Sequence, residues 1–474
     1  MFGDRGQAAW IAPAWWARYL VVAVLLAAII VWRRADVVAR PQLWAEDGSI
    51  FFCNALVLGF PRALVRLYRG FPYLVPRLIA EIGTLVPVAA APRVYTTAAI
   101  AIESLAVATF CAPRFRHLVR SDRLRIAWCV ACVCLPSGAE VFATPTNVGW
   151  FLALWLLVVS SSTAPRGRGS FSFVVVGGIA TVASTPLAVL LAPLWLLRCA
   201  DGIVRRDRRE VLLGAVLLAS VAAIVLTTPL LGAEEPIVLS PTMHDRLQHL
   251  DDRDAAGPFA ASFSWSNLEI ATALTTWSLL RPLDAVRELA VSHPPMFHAV
   301  PIALWLLLVG VAAGGGRFTM ALCCLSLVIA AHAILLEARP LVNVLVEVPR
   351  LWRLLPARYA VFPTGCLLLG VCIALDGIEV RPARIAGILG VVAIVACAWA
   401  PAFRIDPLPN LHWPAWAAKL QRKVDAGSHE PLVIPINPLW RIGLDAAPPG
   451  AAAGSRSDDR CAASTNHDRD GSWF

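Results

Sequence analysis

Two adjacent carboxylates, Glu46 and Asp47, stand in the first polar stretch of the chain, Pro41-Gln-Leu-Trp-Ala-Glu46-Asp47-Gly48-Ser-Ile-Phe-Phe52, with a glycine and then apolar residues behind them. A carboxylate held against apolar surface can take a proton from an attacking hydroxyl. The same pair in water is a solvated loop or the start of a helix. Three further stretches carry residue types that complement a base. Gly70-Phe-Pro-Tyr73-Leu-Val-Pro76-Arg77 and Pro356-Ala-Arg358-Tyr359 each set an arginine near a tyrosine, and Thr146-Asn147-Val-Gly-Trp150 opens an apolar run with an amide and an indole. A guanidinium holds a phosphate through paired N–H groups. Each stretch also has a plainer reading: Arg77 can snorkel to lipid headgroups, Asn147 can cap a helix, and Trp150 and Tyr359 can belong to an aromatic belt.

The elements that must position these residues are membrane helices. Of the 474 residues, 58% are hydrophobic and 15% charged, and the mean hydropathy is +0.67; an average soluble domain is about 25% charged. Such a chain cannot cover itself with polar surface. Its apolar runs are too long and continuous for barrel strands, so the fold class is an all-α polytopic membrane protein. The excess of 41 Lys plus Arg over 32 Asp plus Glu falls mostly between apolar runs, which speaks for membrane orientation and against nucleic-acid binding. No Walker loop or dinucleotide fingerprint is present, which argues against an ATP-driven pump. Ten of the twelve cysteines lie in or at the edge of apolar runs and read as small hydrophobes, the Cys129, Cys132, Cys134 cluster included. Cys53 and Cys461 lie outside them, and a bridge between the two is left open.

Walking the arginine-rich connections gives about eleven spans, with the amino terminus inside and the carboxyl terminus outside. Residues 1–400 form the multi-span domain, with spans expected at 16–32, 93–112, 126–143, 148–163, 210–230, 298–313, 318–336, 359–375 and 385–400, and a Thr185-Pro186-split hairpin over 171–197. The first span reads as an uncleaved helix, because no small-x-small cleavage site follows it. The first outer loop, about 33–92, is expected to hold an amphipathic surface helix over 51–70 and a re-entrant or interfacial helix over 72–92. A long outer loop covers about 231–297; its His244, His249 and Asp251, Asp252, Asp254 match no tight metal spacing. A small outer segment spans 401–445, and 446–474 reads as a disordered tail. Arg33 and Arg34 break the charge rule by lying outside the first span, where they could serve as anion ligands. Glu103, His332 and Glu337 are ionisable groups in or near spans and so are functional candidates.

The order LWAEDGSIFF, YRGFPYLVPRLIAEI, PSGAEVFATPTNVGWFLALW and LLPARYAVFP resembles multi-span bacterial membrane proteins of the GT-C superfamily, glycosyltransferases that use polyprenyl-phosphate sugars. The resemblance covers roughly residues 15–400 in layout, and only the first outer loop carries a motif with chemical meaning. It implies an acidic base in that loop, matching Asp47 with Glu46 as its partner or alternative. It also implies an inverting transfer at the outer face of the bacterial cytoplasmic membrane, from a polyprenyl-phosphate sugar to a glycan or lipid acceptor of the cell envelope. Arg77 and Arg358 are then candidates for the phosphate, and Tyr73, Asn147, Trp150 and Tyr359 for the sugar. No cofactor is expected, and a divalent metal is left open. The carboxyl-terminal outer segment is shorter than in many such enzymes, which leaves acceptor recognition without an assigned domain. The rival readings are a transporter or flippase of a lipid-linked precursor, working through Glu103 and the proline-broken helices, and a membrane partner protein without chemistry.

Overall fold

The computed structural model describes residues 13–68, 70–136, 140–231, 292, 361–405, 407–426, 431–437 and 440–445. They are mostly helical. The order is α1 (Pro13–Arg33), α2 (Ala35–Ala39), a π-helical turn (Asp47–Phe52), α3 (Cys53–Leu58), α4 (Arg62–Val65), α5 (Leu74–Thr84), α6 (Ala91–Ala108), α7 (Asp122–Cys134), α8 (Val148–Ser160), α9 (Arg168–Val182), α10 (Ala192–Arg205) and α11 (Arg208–Leu231). After the interruption come α12 (Val361–Gly377), α13 (Arg381–Phe403), α14 (Trp413–Asp425) and the antiparallel hairpin β1 (Pro431–Ile436) with β2 (Trp440–Asp445), in which Ile434 faces Ile442. Among the described residues, four helical stretches are long and apolar enough to cross a membrane: Trp16–Arg33, Val88–Cys111, Pro186–Arg205 and Arg208–Thr227. The spans expected at 298–313 and 318–336, the loop at 231–297 and the tail at 446–474 lie outside the described residues.

Polar contacts sort the helix ends into two groups. At one end Asp122 pairs with Arg18, Arg116 and Arg125. There too the Asp376 carboxylate accepts the backbone N–H groups of Arg120 (2.8 Å) and Ser121 (3.1 Å), and Glu210 pairs with Arg198 at 2.6 Å. At the opposite end of α1 and α13, Arg33 donates to Phe403 O (2.9 Å), Val133 O (2.5 Å) and Leu135 O (2.7 Å). Residues 135–136, 140–147 and 183–187 gather at this second end with the carboxylate loop, because Thr146 bonds Asp47, and Leu74 N and Val75 N bond Ala183 O and Ser184 Oγ at 3.0 Å each.

Two expectations about the helices are revised. The span placed at 126–143 ends at Cys134, since Leu135 precedes a proline and adopts an extended ψ of 138°. Thirteen residues make about 20 Å of helix, short of a hydrocarbon core of about 30 Å. In place of one amphipathic helix over 51–70, the chain makes α3, a break at Gly59 (φ 65°) and the short α4. The 401–445 segment contains a hairpin, while the other elements among the described residues are helical. Arg33 is not a stray surface charge: it is 2% exposed and satisfies carbonyls left open at the end of α7.

Candidate functional site

The carboxylate stretch is an anchored, buried turn. Trp44 bridges Asn437, and Ala45 N donates to Asn437 O at 2.6 Å, so the carboxyl-terminal segment holds the entry to the turn. Ser49 Oγ then returns to Ala45 O at 2.9 Å within the π-helical stretch; such π insertions recur at functional sites. Gly48 is required by close approach: a Cβ there would lie 2.9 Å from both Ile436 Cδ1 and Ile442 Cδ1 and 3.2 Å from Leu43 Cβ. Gln42 reinforces the seal, donating to Pro409 O (3.0 Å) and accepting from Leu411 N (2.6 Å), and Trp413 Nε1 donates to Val88 O at 3.1 Å. Pro409 and Leu411, with Ile436, Asn437 and Ile442 of the hairpin region, therefore cover the acidic turn.

Asp47 is 2% exposed. Its Oδ1 accepts from Thr146 N at 2.8 Å and from Thr146 Oγ1 at 2.5 Å. Burial pushes its carboxyl up to about 8; the two Thr146 bonds oppose that rise and the neighbouring Glu46 charge adds to it. Glu46 is 6% exposed, and its Oε2 has no hydrogen-bond partner among the described residues.

Asp47 lines a cavity of about 20 Å³ together with Arg34, Arg40, Tyr95, Thr96, Thr144 and Asn437. Two cations thus border the space beside the carboxyl. Arg34 is fully buried, bonds Asp36 Oδ1 at 3.2 Å and Phe142 O at 3.2 Å, and lies within electrostatic reach of Glu103. Glu103 is itself fully buried; its two oxygens accept Ala143 N at 3.0 and 3.2 Å, which ties α6 to the loop that delivers Thr146. Ala143 stands at φ 64° in that loop.

The other sequence candidates divide. Asn147 donates through Nδ2 to Glu140 O (2.6 Å) and Thr144 Oγ1 (3.1 Å), and its Oδ1 accepts Trp150 Nε1 at 3.2 Å. The pair braces the Thr146 loop and lines no part of the Asp47 cavity. Arg77 is 1% exposed; it donates to Pro72 O (2.9 Å) and Ala63 O (3.0 Å) and sits over the Phe51 ring at 5.4 Å. Tyr73 packs with Phe51, Tyr68 and Phe71. Arg77 and Tyr73 therefore support the turn from behind. Arg358 and Tyr359 lie outside the described residues. Of the four stretches, three meet around one turn, and Thr146 rather than Asn147 reaches the carboxylate.

Sequence reasoning passed over Thr146 as a ligand and missed Arg40, Tyr95 and Thr96. Arg34 carried a signal, as a cation on the wrong side of a span. The others carried none, because a tyrosine and a threonine within a span read as ordinary helix residues. The described cysteines at 111, 129, 132, 134, 199, 366 and 372 are free thiols, whereas Cys53 is disulfide-bonded; the Cys53–Cys461 pairing lies outside the described residues. Comparison with family models, characterised proteins and solved structures finds no match.

Proposed function

We propose that this chain is a membrane glycosyltransferase. It moves a sugar from a polyprenyl-phosphate donor to a cell-envelope hydroxyl at the outer face of a bacterial cytoplasmic membrane, with inversion, and Asp47 is the general base. The carrying observation is Asp47: a buried carboxyl raised to about 8, fixed through one oxygen by Thr146, on a cavity with cations on its wall. A base poised near the working pH is what proton transfer in such a reaction asks for.

In the step itself the acceptor O–H proton passes to Asp47 while its oxygen bonds the anomeric carbon. The bond from that carbon to the phosphate oxygen breaks, and the leaving lipid phosphate keeps the electron pair. Arg40, exposed where it borders the cavity, is the cation best placed to meet that charge; Arg34 contributes field from its fixed position against Asp36. A cavity of about 20 Å³ admits one hydroxyl-sized group, so the sugar and lipid phosphate enter when β1 and β2 lift from the acidic turn. The likeness of LWAEDGSIFF to the first outer loop of GT-C enzymes supports the same assignment.

The test is reconstitution with polyprenyl-phosphate sugars, comparing wild type with Asp47→Asn and Glu46→Gln. Asparagine keeps an Oδ1 to accept both Thr146 bonds, so the change removes the base and leaves the turn. Asp47→Asn is expected to lower transfer by about 10²–10⁴-fold. Unaltered transfer in both single variants and the double variant overturns the assignment.

A further inference from the structure

Asp47 has a second face. Both Thr146 donors converge on Oδ1, and among the described residues no group donates to Oδ2. On the same cavity wall stands Tyr95, from α6, 2% exposed and, among the described residues, with no hydrogen-bond partner for its Oη. A buried tyrosine hydroxyl ordinarily finds a partner, so this one is an exception that needs a reason. Its ring is tightly held: a Cβ on Gly83 would lie 2.7 Å from Tyr95 Cε2, and Phe52 packs edge-on at 6.3 Å. A glycine and an aromatic thus hold in place a phenol whose hydroxyl bonds no group among the described residues.

The space that Asp47 and Tyr95 share has room for one oxygen-sized group. We propose that this space is the subsite of the acceptor hydroxyl, with Tyr95 Oη–H donating to the acceptor oxygen while the acceptor's own proton points at Asp47 Oδ2. The inference rests on the reading of Asp47 as the base and adds a second residue in contact with the acceptor. Before the acceptor arrives, one water takes the same two bonds and couples Tyr95 to Asp47. When the acceptor reacts, its proton goes to Asp47, its oxygen bonds the sugar carbon as that carbon's bond to the phosphate oxygen breaks and the electron pair leaves on the lipid phosphate, and Tyr95 keeps its own proton throughout.

Several other charged and titratable groups surround the pair: Glu46 from the turn and Glu103 from α6 act on Asp47, Glu81 from α5 acts on Tyr95, and Arg34, Asp36 and Arg40 from the α1–α2 side line the cavity. The 140s loop presents the Thr144 and Thr146 hydroxyls, and the hairpin presents the apolar Ile436 and Ile442 side chains against Gly48. Tyr95 is the group among them that has an O–H to give and no partner to give it to.

The test reads Asp47 directly and does not depend on turnover. In the full-length protein in lipid vesicles, the Asp47 carboxyl is titrated by infrared difference spectroscopy, its band identified by loss in Asp47→Asn. Tyr95→Phe keeps the ring packing and removes the donor, so the Asp47 midpoint is expected to rise by about one pH unit. Placing 3-fluorotyrosine at position 95, a stronger donor of nearly the same shape, is expected to lower it. An Asp47 midpoint unmoved by either replacement overturns the subsite, whatever the protein transfers. With transfer established, Tyr95→Phe is expected to cut kcat/KM for the acceptor about tenfold and leave KM for the donor unchanged; an effect confined to the donor also overturns it. Loss of transfer in wild type with an intact Tyr95–Asp47 coupling would count against the glycosyltransferase reading alone.

Discussion

A carboxyl that titrates near 8 is a stronger base than an ordinary aspartate, but at pH 7 only about one molecule in ten carries it ionised. Transfer is therefore expected to climb tenfold per pH unit below about 8 and to level off above it, which a pH profile of kcat/KM in vesicles would check. Stability runs the other way. The folded-state value of about 8 lies above the ordinary value of 3.8, so the protonated carboxyl favours the fold fully below pH 4, and that contribution is lost as pH rises through 8. Its upper bound is about 6 kcal/mol, reduced by water entry on relaxation. Denaturation midpoints in detergent between pH 5 and 9 are expected to fall for wild type and to stay flatter for Asp47→Asn. Glu103 separates the enzyme from the transporter. It accepts a backbone N–H from Ala143 through both oxygens, and a glutamine retains an acceptor there. Glu103→Gln is expected to keep transfer within about tenfold of wild type; its abolition, with Asp47→Asn active, would favour a carrier whose working group sits in the span.

Among elements, the segment after α13 has the most consequence for the site. A hairpin and a short amphipathic helix would be marginal alone, yet Ile436 and Ile442 pack against Gly48, Gln42 and Ala45 tie the segment to the acidic turn, and Trp413 ties it to Val88. Gln42→Ala removes two of those bonds, at about 1 kcal/mol each. It is expected to speed limited proteolysis within residues 404–445 while helical content by circular dichroism stays constant. Gly48→Ala pushes on two isoleucine tips, an overpacking cost of about 1–3 kcal/mol that should appear as a lower thermal midpoint. The end of α7 is a different case. Leu135-Pro136 stops the helix, the carbonyls of Val133 and Leu135 are left open inside the protein, and Arg33 from α1 fills them. A charge that looks misplaced in a list of spans is a helix cap in the folded chain.

For the whole molecule, arginine-rich connections gather at one end of the helices and the carboxylate cavity at the other. Arg62 is exposed near the cavity end and Arg168 at the start of α9 on the basic end. On the proposed orientation, basic end to the cytoplasm, Arg62→Cys is expected to react with an impermeant maleimide on intact cells and Arg168→Cys only after permeabilisation; the reverse pattern would invert the orientation. Much of this was legible in advance. Hydropathy alone determined the helical class and the approximate limits of α1, α6, α11, α12 and α13, because a backbone in lipid must bond to itself over a length set by the bilayer. Proline and arginine positions likewise foretold the Thr185-Pro186 break and the two-ended charge pattern. Glu46 and Asp47 stood out as acids beside apolar residues. Tertiary structure alone decided that Asp47 is held by Thr146, that Arg77 and Asn147 brace loops, and that Tyr95 and Arg40 share the cavity with the carboxyl. Those facts depend on which residues meet across about a hundred positions of chain, and a periodic pattern along one helix carries no information about its neighbour's register.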